Sequence, residues 1–276
     1  MMEDLRTEYK GKLLAVKDLP TLPTVLAKVS KLVEDPNSST EQIARLISMD
    51  QVLSAKVLKM VNSPIYGFPG RIGTIQHALV LLGFNVIKGI IISTSVFDMM
   101  EESMKGLWDH SMGCALACSA VARHVGFKDP EEYAVAGLLH DIGKVLAVVQ
   151  LPECKDEIVN AVRENDLSYI QAENKVLGFG HDRINLWMAG HWNLPLRLKE
   201  GLAYHHKPSL AKHYPDVAQV VHVGDFLTRV FEIGSGGDDQ VSLLDREVLL
   251  KLGIDFPLLE KILDALVEEF EELAVF

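Results

Sequence analysis

The sequence predicts an all-α fold built from two packed helical bundles, and three observations carry that reading. Apolar residues recur at helical spacing along almost the whole chain. Residues that cap or stop helices stand between the periodic stretches. No segment alternates apolar and polar residues well enough to outscore the helical pattern.

Leu22, Val25, Leu26, Val29, Leu32 and Val33 form one buried helix face, which Asp35-Pro36-Asn37 ends. Ser39, with Gln42 three residues on, is a capping-box start for a helix carrying Ile43, Leu46 and Ile47 inward. A third helix is predicted from Gln51 to Val61, ending at Asn62-Ser63-Pro64, and Tyr66 to Gly70 is too rich in Gly and Pro to continue it. Thr74 to Leu82 and Asn85 to Met99 are read as two further helices. The stretch from Glu101 to Gly106 reads as a seam, dividing an N-terminal bundle (1–100) from a C-terminal helical domain (101–276).

Beyond the seam the helices lengthen. One covers Leu107 to Val125. The next opens at Asp129-Pro130-Glu131-Glu132, where Asp suits the cap, Pro the first helical position and Glu the helix dipole, and is expected to run through Lys144. Ser168 with Gln171 caps another, and Asp216 begins one that reaches Asp225. A loop through Gly234-Ser235-Gly236-Gly237-Asp238-Asp239 precedes a last amphipathic helix with Leu258, Leu259, Ile262, Leu266 and Phe270 on one face.

Composition excludes several function classes. A net charge of −11 gives no surplus of cations for gripping duplex nucleic acid. Three cysteines make no disulfide framework, so they are read as buried thiols in a reducing compartment. The N-terminus Met1-Met2-Glu3-Asp4 is acidic where a signal peptide is basic. The most apolar window, Val86 to Val96, contains Lys88 and is shorter than the ~20 residues of a bilayer span. The expectation is a cytoplasmic protein that does not enter a membrane.

The chemistry concentrates on His and Asp. His140-Asp141 directly follows the apolar run Tyr133 to Leu139. An unpaired buried carboxylate costs several kcal/mol, so either a hydrogen-bonded His-Asp pair braces two helices, or a divalent cation takes both as ligands. His110 falls on the stripe of Leu107, Cys114 and Cys118, and Asp225 shares a face with Ala218 and Val221. His181 heads an apolar helix, and His205-His206 ends one carrying Leu198 and Leu202. Several His and Asp residues on buried faces weigh toward a metal.

The order H…HD…D, with the pair in the form His-Asp-Ile-Gly-Lys, resembles the HD phosphohydrolase superfamily. The N-terminal half resembles the HDOD (HD-related output domain) family of bacterial signalling. The stretches are Leu19-Pro20-Thr21-Leu22-Pro23, Ile47 to Leu53, Val61-Asn62-Ser63-Pro64-Ile65-Tyr66-Gly67 and Ile75-Gln76-His77-Ala78 with Leu82-Gly83. Gly190 to Pro195 and His205-His206-Lys207-Pro208 extend the likeness, which spans roughly residues 15 to 230. HDOD proteins are commonly taken as regulatory modules that have lost parts of the catalytic HD site, whereas this chain keeps them. The chain is also similar to HD-GYP phosphodiesterases in its ligand positions. That resemblance implies a first metal held by His110, His140, Asp141 and Asp225, and a second by His181, His205 and His206, with Asp141 bridging.

Two such cations, about 3.5–4 Å apart, can clamp and polarise a phosphoryl group. Mixed imidazole and carboxylate ligands favour iron, with manganese, nickel or zinc also admissible. Asp141 and Lys144 carry the implied catalytic roles, Lys144 steadying a phosphate oxygen; alternatively Lys144 is a solvated helix-end lysine. Two departures stand out. Gly106 occupies the place of the Glu that serves a third metal in some HD-GYP proteins, and His213-Tyr214-Pro215 lacks the preceding Glu, Asp and Gly of their motif. The reading is therefore a signalling module that binds metal, a partner protein and a nucleotide or cyclic dinucleotide. The alternative is an active phosphohydrolase or phosphodiesterase on such a ligand.

Overall fold

The computed structural model describes residues 2–14, 28–29, 32–33 and 38–275, the side chains of 2–6, 14 and 97–103 excepted. Among these residues the fold is helical throughout, without strands. The helix expected around Leu22 to Val33 lies largely outside them.

Helix α1 spans Met2–Leu14. The N-terminal unit continues with α2 (Thr40–Ser48) and α3 (Gln51–Val61). The Ser39–Gln42 capping box forms as predicted, and Asp50 caps α3 by accepting from the Leu53 N–H. Asn62 does more than end α3. Its amide donates to Leu58 O and Ile72 O and accepts from the Ile72 N–H, pinning the 62–72 loop.

Helix α4 spans Ile75–Ser103, joining the two helices expected there across Gly83, whose φ of 72° lies outside the helical region. It packs on α2 and α3 on one side. On the other it meets the helices of the C-terminal unit. These are α5 (Leu107–Val125), α6 (Pro130–Leu139), α7 (Ile142–Gln150), α8 (Pro152–Asn165), α9 (Tyr169–Val176), α10 (His181–His191), α11 (Leu196–Tyr204), α12 (Pro215–Val230), α13 (Arg246–Leu252) and α14 (Phe256–Val275). Residues Ile75–Val96 are long and apolar enough to cross a membrane by composition, but 67% of that window is buried inside the protein. Its apolar character is that of a core helix.

Helix α5 is the axis of the C-terminal unit, packing against α6, α12 and α14. Its buried face is lined by small residues such as Ala115, Ala117 and Ala120, which let neighbouring helices come close. Cys114, Cys118 and Cys154 are free and buried, as expected of small apolar fillers. Ile262, Leu266 and Phe270 of α14 close one side of the core.

Two expectations need correction. Asp129 does not cap α6 through its side chain; it adopts a left-handed conformation with φ 56°. The helix from Pro130 does not run through Lys144 but breaks at His140-Asp141 and restarts at Ile142. Helices α1, α8 and α13 were not among the elements expected from the sequence.

Candidate metal centre

The break between α6 and α7 points two consecutive side chains at one place. The Asp141 backbone has φ −100° and ψ 6°, and the helical ladder skips there. The carbonyl of His140, freed from the ladder, accepts from Asn185 Nδ2 of α10. Asn185 also donates to Leu202 O of α11 at 3.1 Å, and its Oδ1 accepts the Gly143 N–H at 2.9 Å. One amide thus fastens the break to two helices. Gly143 is required for this closeness, because a Cβ there would collide with the His181 carbonyl.

The remaining residues arrive from four directions: His110 from α5, His181 from the start of α10, His205-His206 from the end of α11 and Asp225 from α12. All seven expected ligands come together, in two groups. His110, His140 and Asp225 place ligand atoms within 4.8 Å of one another, and so do His181, His205 and His206. Asp141 stands between the groups. Its Oδ2 lies 3.3 Å from His140 Nε2 and 3.6 Å from His110 Nε2, while its Oδ1 lies 3.2 Å from His181 Nε2.

Three of the five imidazoles are oriented through their other nitrogen. His140 Nδ1 lies 2.6 Å from Gly137 O and His205 Nδ1 2.9 Å from Leu202 O. Glu173 Oε2 lies 2.6 Å from His181 Nδ1. An Nδ1–H donated outward turns Nε2 toward the cluster, where it can ligate a cation on giving up its proton. His206 Nε2 and His181 Nε2 approach to 2.9 Å. His110 Nε2 lies 3.1 Å from Asp225 Oδ1.

Electrostatics sort the group. Burial holds His110, His205 and His206 below the usual histidine pKa, which keeps them neutral. Burial alone would raise Asp141 and Asp225. Against it, His140 and Lys144 hold Asp141, and Arg229 and His110 hold Asp225, well below the carboxylate range. Burial also opposes protonation of His181, but Glu173 and Asp141 outweigh it and push His181 to about 9.

The residues fit divalent cations. His110 Nε2, His140 Nε2, His205 Nε2 and Asp141 Oδ1 are buried polar atoms without a hydrogen-bond partner, and all four face the cluster. Such orphans are costly unless something unites them, and cations bound by imidazole and carboxylate do so. A His-Asp brace between two helices accounts for one pair, not for seven converging side chains.

Lys144 is not a solvated helix end. It is fully buried, donating to Asp141 Oδ2 at 2.6 Å and to Gly236 O at 2.8 Å. Sequence reasoning missed Glu173, Asn185 and Arg229. Glu173 sits one turn beyond Tyr169 and shares its buried face, a placement unusual enough for a carboxylate to have flagged it. Asn185 lies one turn beyond His181, and Arg229 one turn beyond Asp225, where its Nε donates to Asp225 Oδ1 at 3.0 Å.

Residues 19–208 match the HDOD domain family. An HDOD domain protein of unknown function from Geobacter sulfurreducens has the same fold, with a TM-score of 0.74 at 24% identity over 99% of this chain and 98% of that one. A provisionally named phosphohydrolase from Shewanella amazonensis matches at 25% identity and a TM-score of 0.66, covering 95% of this chain and 98% of the other. The cyclic di-GMP phosphodiesterase CdgJ of Vibrio cholerae is 29% identical over 139 residues, which are 48% of this chain and 32% of that protein. The chain spans less than half the length of the curated relatives it matches.

Proposed function

The chain belongs to the HDOD family, and on that premise we propose that it is a bacterial signalling module built around two divalent metal ions. One observation carries the reading: the two carboxylate oxygens of Asp141 face different histidine groups, the arrangement of a bridging ligand. His110, His140 and Asp225 would hold one ion, His181, His205 and His206 the other. Iron is the favoured metal, with manganese, nickel and zinc admissible for the same ligand types. Bound there, the ions would neutralise the buried carboxylates and polarise a phosphoryl oxygen.

The protein's own residues supply positioning. Glu173 and the carbonyls of Gly137 and Leu202 fix the ring orientations, and Asn185 holds the α6–α7 break in register. Such a module acts in the cytoplasm on a partner protein, with a nucleotide or cyclic dinucleotide as its ligand. Residues 101–276, which carry all seven candidate ligands, would hold the metals.

A second reading, a metal-dependent phosphohydrolase or phosphodiesterase, draws support from the complete ligand set and from the Shewanella relative. The test that separates them measures metal content of anaerobically purified protein beside Asp141→Ala, with phosphodiester hydrolysis assayed on the same samples. Metal lost in the variant, without turnover in either sample, is expected of the module. Turnover lost in parallel with metal would make the second reading correct. An empty wild-type site at saturating iron, manganese and zinc would end both.

A further inference from the structure

Residues 232–245 form an irregular strap between α12 and α13 that lies against Lys144 and Arg229, both of which touch carboxylates of the metal-ligand cluster. It is tied down along its length. The Ser235 N–H donates to Gly106 O at 2.9 Å, the Gly236 carbonyl accepts from Lys144, and Gln240 Nε2 donates to Asp166 O at 2.7 Å. Gly236 is pressed so closely onto the Arg229 guanidinium that a Cβ there would collide with it. Beside the strap His140, Asp141 and Lys144 are at most 1% exposed, whereas His206 of the second histidine group is half-buried.

The strap's central contact is a carboxylate. Asp238 Oδ1 accepts from Arg229 Nη1 at 3.1 Å and from the Gln240 N–H at 3.0 Å, and Oδ2 accepts from the Tyr169 N–H at the start of α9 at 2.8 Å. The side chains of Arg229 and Asp238 are only 9% and 3% exposed. Arg229 also reaches Asp225 of the cluster, and Lys144 reaches Asp141. Two buried cations therefore flank the cluster, and both spend donors on the strap. Planar guanidinium and ammonium groups beside a pair of metals are what a phosphate oxygen meets in phosphoryl-binding sites.

We propose that Arg229 and Lys144 form an anion subsite for the phosphate of a mono- or diester ligand, which Asp238 and the Gly236 carbonyl occupy from within the chain. It rests on the metal reading for its purpose, not for its geometry. Opening the strap frees both cations, so ligand and strap compete for the same donors. Asp238 is thus an internal stand-in for the ligand, and the subsite as folded is occupied.

The test uses inorganic phosphate as probe on the full chain, both metal-loaded and chelator-treated, comparing wild type, Asp238→Asn and Asp238→Asn with Arg229→Gln. Calorimetry should show phosphate binding at least about tenfold tighter in Asp238→Asn than in wild type, in the chelator-treated form as well. The added Arg229→Gln change should return it to the wild-type level. Equal phosphate affinity in wild type and Asp238→Asn overturns the subsite, even where the metals load normally. Binding in the chelator-treated form alongside failed metal loading keeps the subsite and removes the metal reading. Should the variants not fold, the wild type still decides. Phosphate, but not chloride at equal ionic strength, must speed amide exchange at Gly237 and Gln240; no difference between the salts overturns the proposal.

Discussion

Glu173 accepts two hydrogen bonds from one residue, the backbone N–H of His181 at 2.8 Å and its ring Nδ1 at 2.6 Å. The first fixes where α10 begins, and the second fixes which way the imidazole faces. A carboxylate behind a ligating histidine sets its tautomer and raises its basicity, and losing one typically costs about 10–100-fold in metal affinity. Glu173→Gln should show a loss of that size by chelator competition, with helix content retained by circular dichroism. Unchanged affinity would mean that His181 is not a ligand.

The position of Asp141 between the two histidine groups predicts unequal stoichiometries. Asp141→Ala should lose both metals, whereas His206→Ala and His110→Ala should each retain about one per chain, measured by elemental analysis. Loss of a single metal in Asp141→Ala would show that the carboxylate serves only one group. Metal removal should also lower the melting temperature. An ion present at 100 times its dissociation constant adds about 2.7 kcal/mol, or roughly 5–10 °C for a chain of this size.

The helices were largely legible because their signals are local. Ser39 with Gln42, and the run from Gln51 to Val61, state their own ends. The convergence of the seven candidate ligands was legible in part: polar residues stood on faces that had to be buried, and the family resemblance supplied their division into two groups. The break at His140-Asp141 was not, because the apolar run from Tyr133 to Val148 continues across it without a Pro. At the break the His140 carbonyl is taken up by Asn185, 45 residues downstream in the chain, a partner that no local pattern announces. The strap was equally hidden. It has no periodicity, and its Gly-rich sequence reads as a plain loop until Arg229 and Lys144 are seen to hold it.

The loop that follows His205-His206 carries a pH signature. Glu200, 5% exposed, accepts the N–H groups of Tyr214, His213 and Lys212 at 2.7, 2.9 and 3.2 Å. Burial alone would raise its pKa, but these donors outweigh it and hold the carboxyl below its usual value. A depressed folded pKa contributes stability that is present above the unfolded value, about 4.3, and is lost as pH falls through the folded one. Glu200→Gln should therefore melt roughly 2–4 °C below wild type at neutral pH. The gap should narrow as the pH is lowered beneath about 4. A gap that stays constant with pH would show that the ionised form is not what the three amides prefer.

Gly143 tests whether helix spacing and metal binding are coupled. It stands two residues beyond Asp141, donates its N–H to Asn185 Oδ1, and lets the first turn of α10 lie against α7. A methyl group at this position meets the His181 backbone carbonyl, which has no flexible side chain to move aside. Overpacking of this kind costs about 1–3 kcal/mol. Gly143→Ala should lower the melting temperature and also weaken metal binding, because α10 can retreat only by carrying His181 away from Asp141. The second effect should fall on the ion held by His181, His205 and His206, leaving about one metal per chain. Equal weakening at both positions would mean that the α6–α7 break itself had shifted, and an unchanged affinity would mean that α10 adjusts without moving His181.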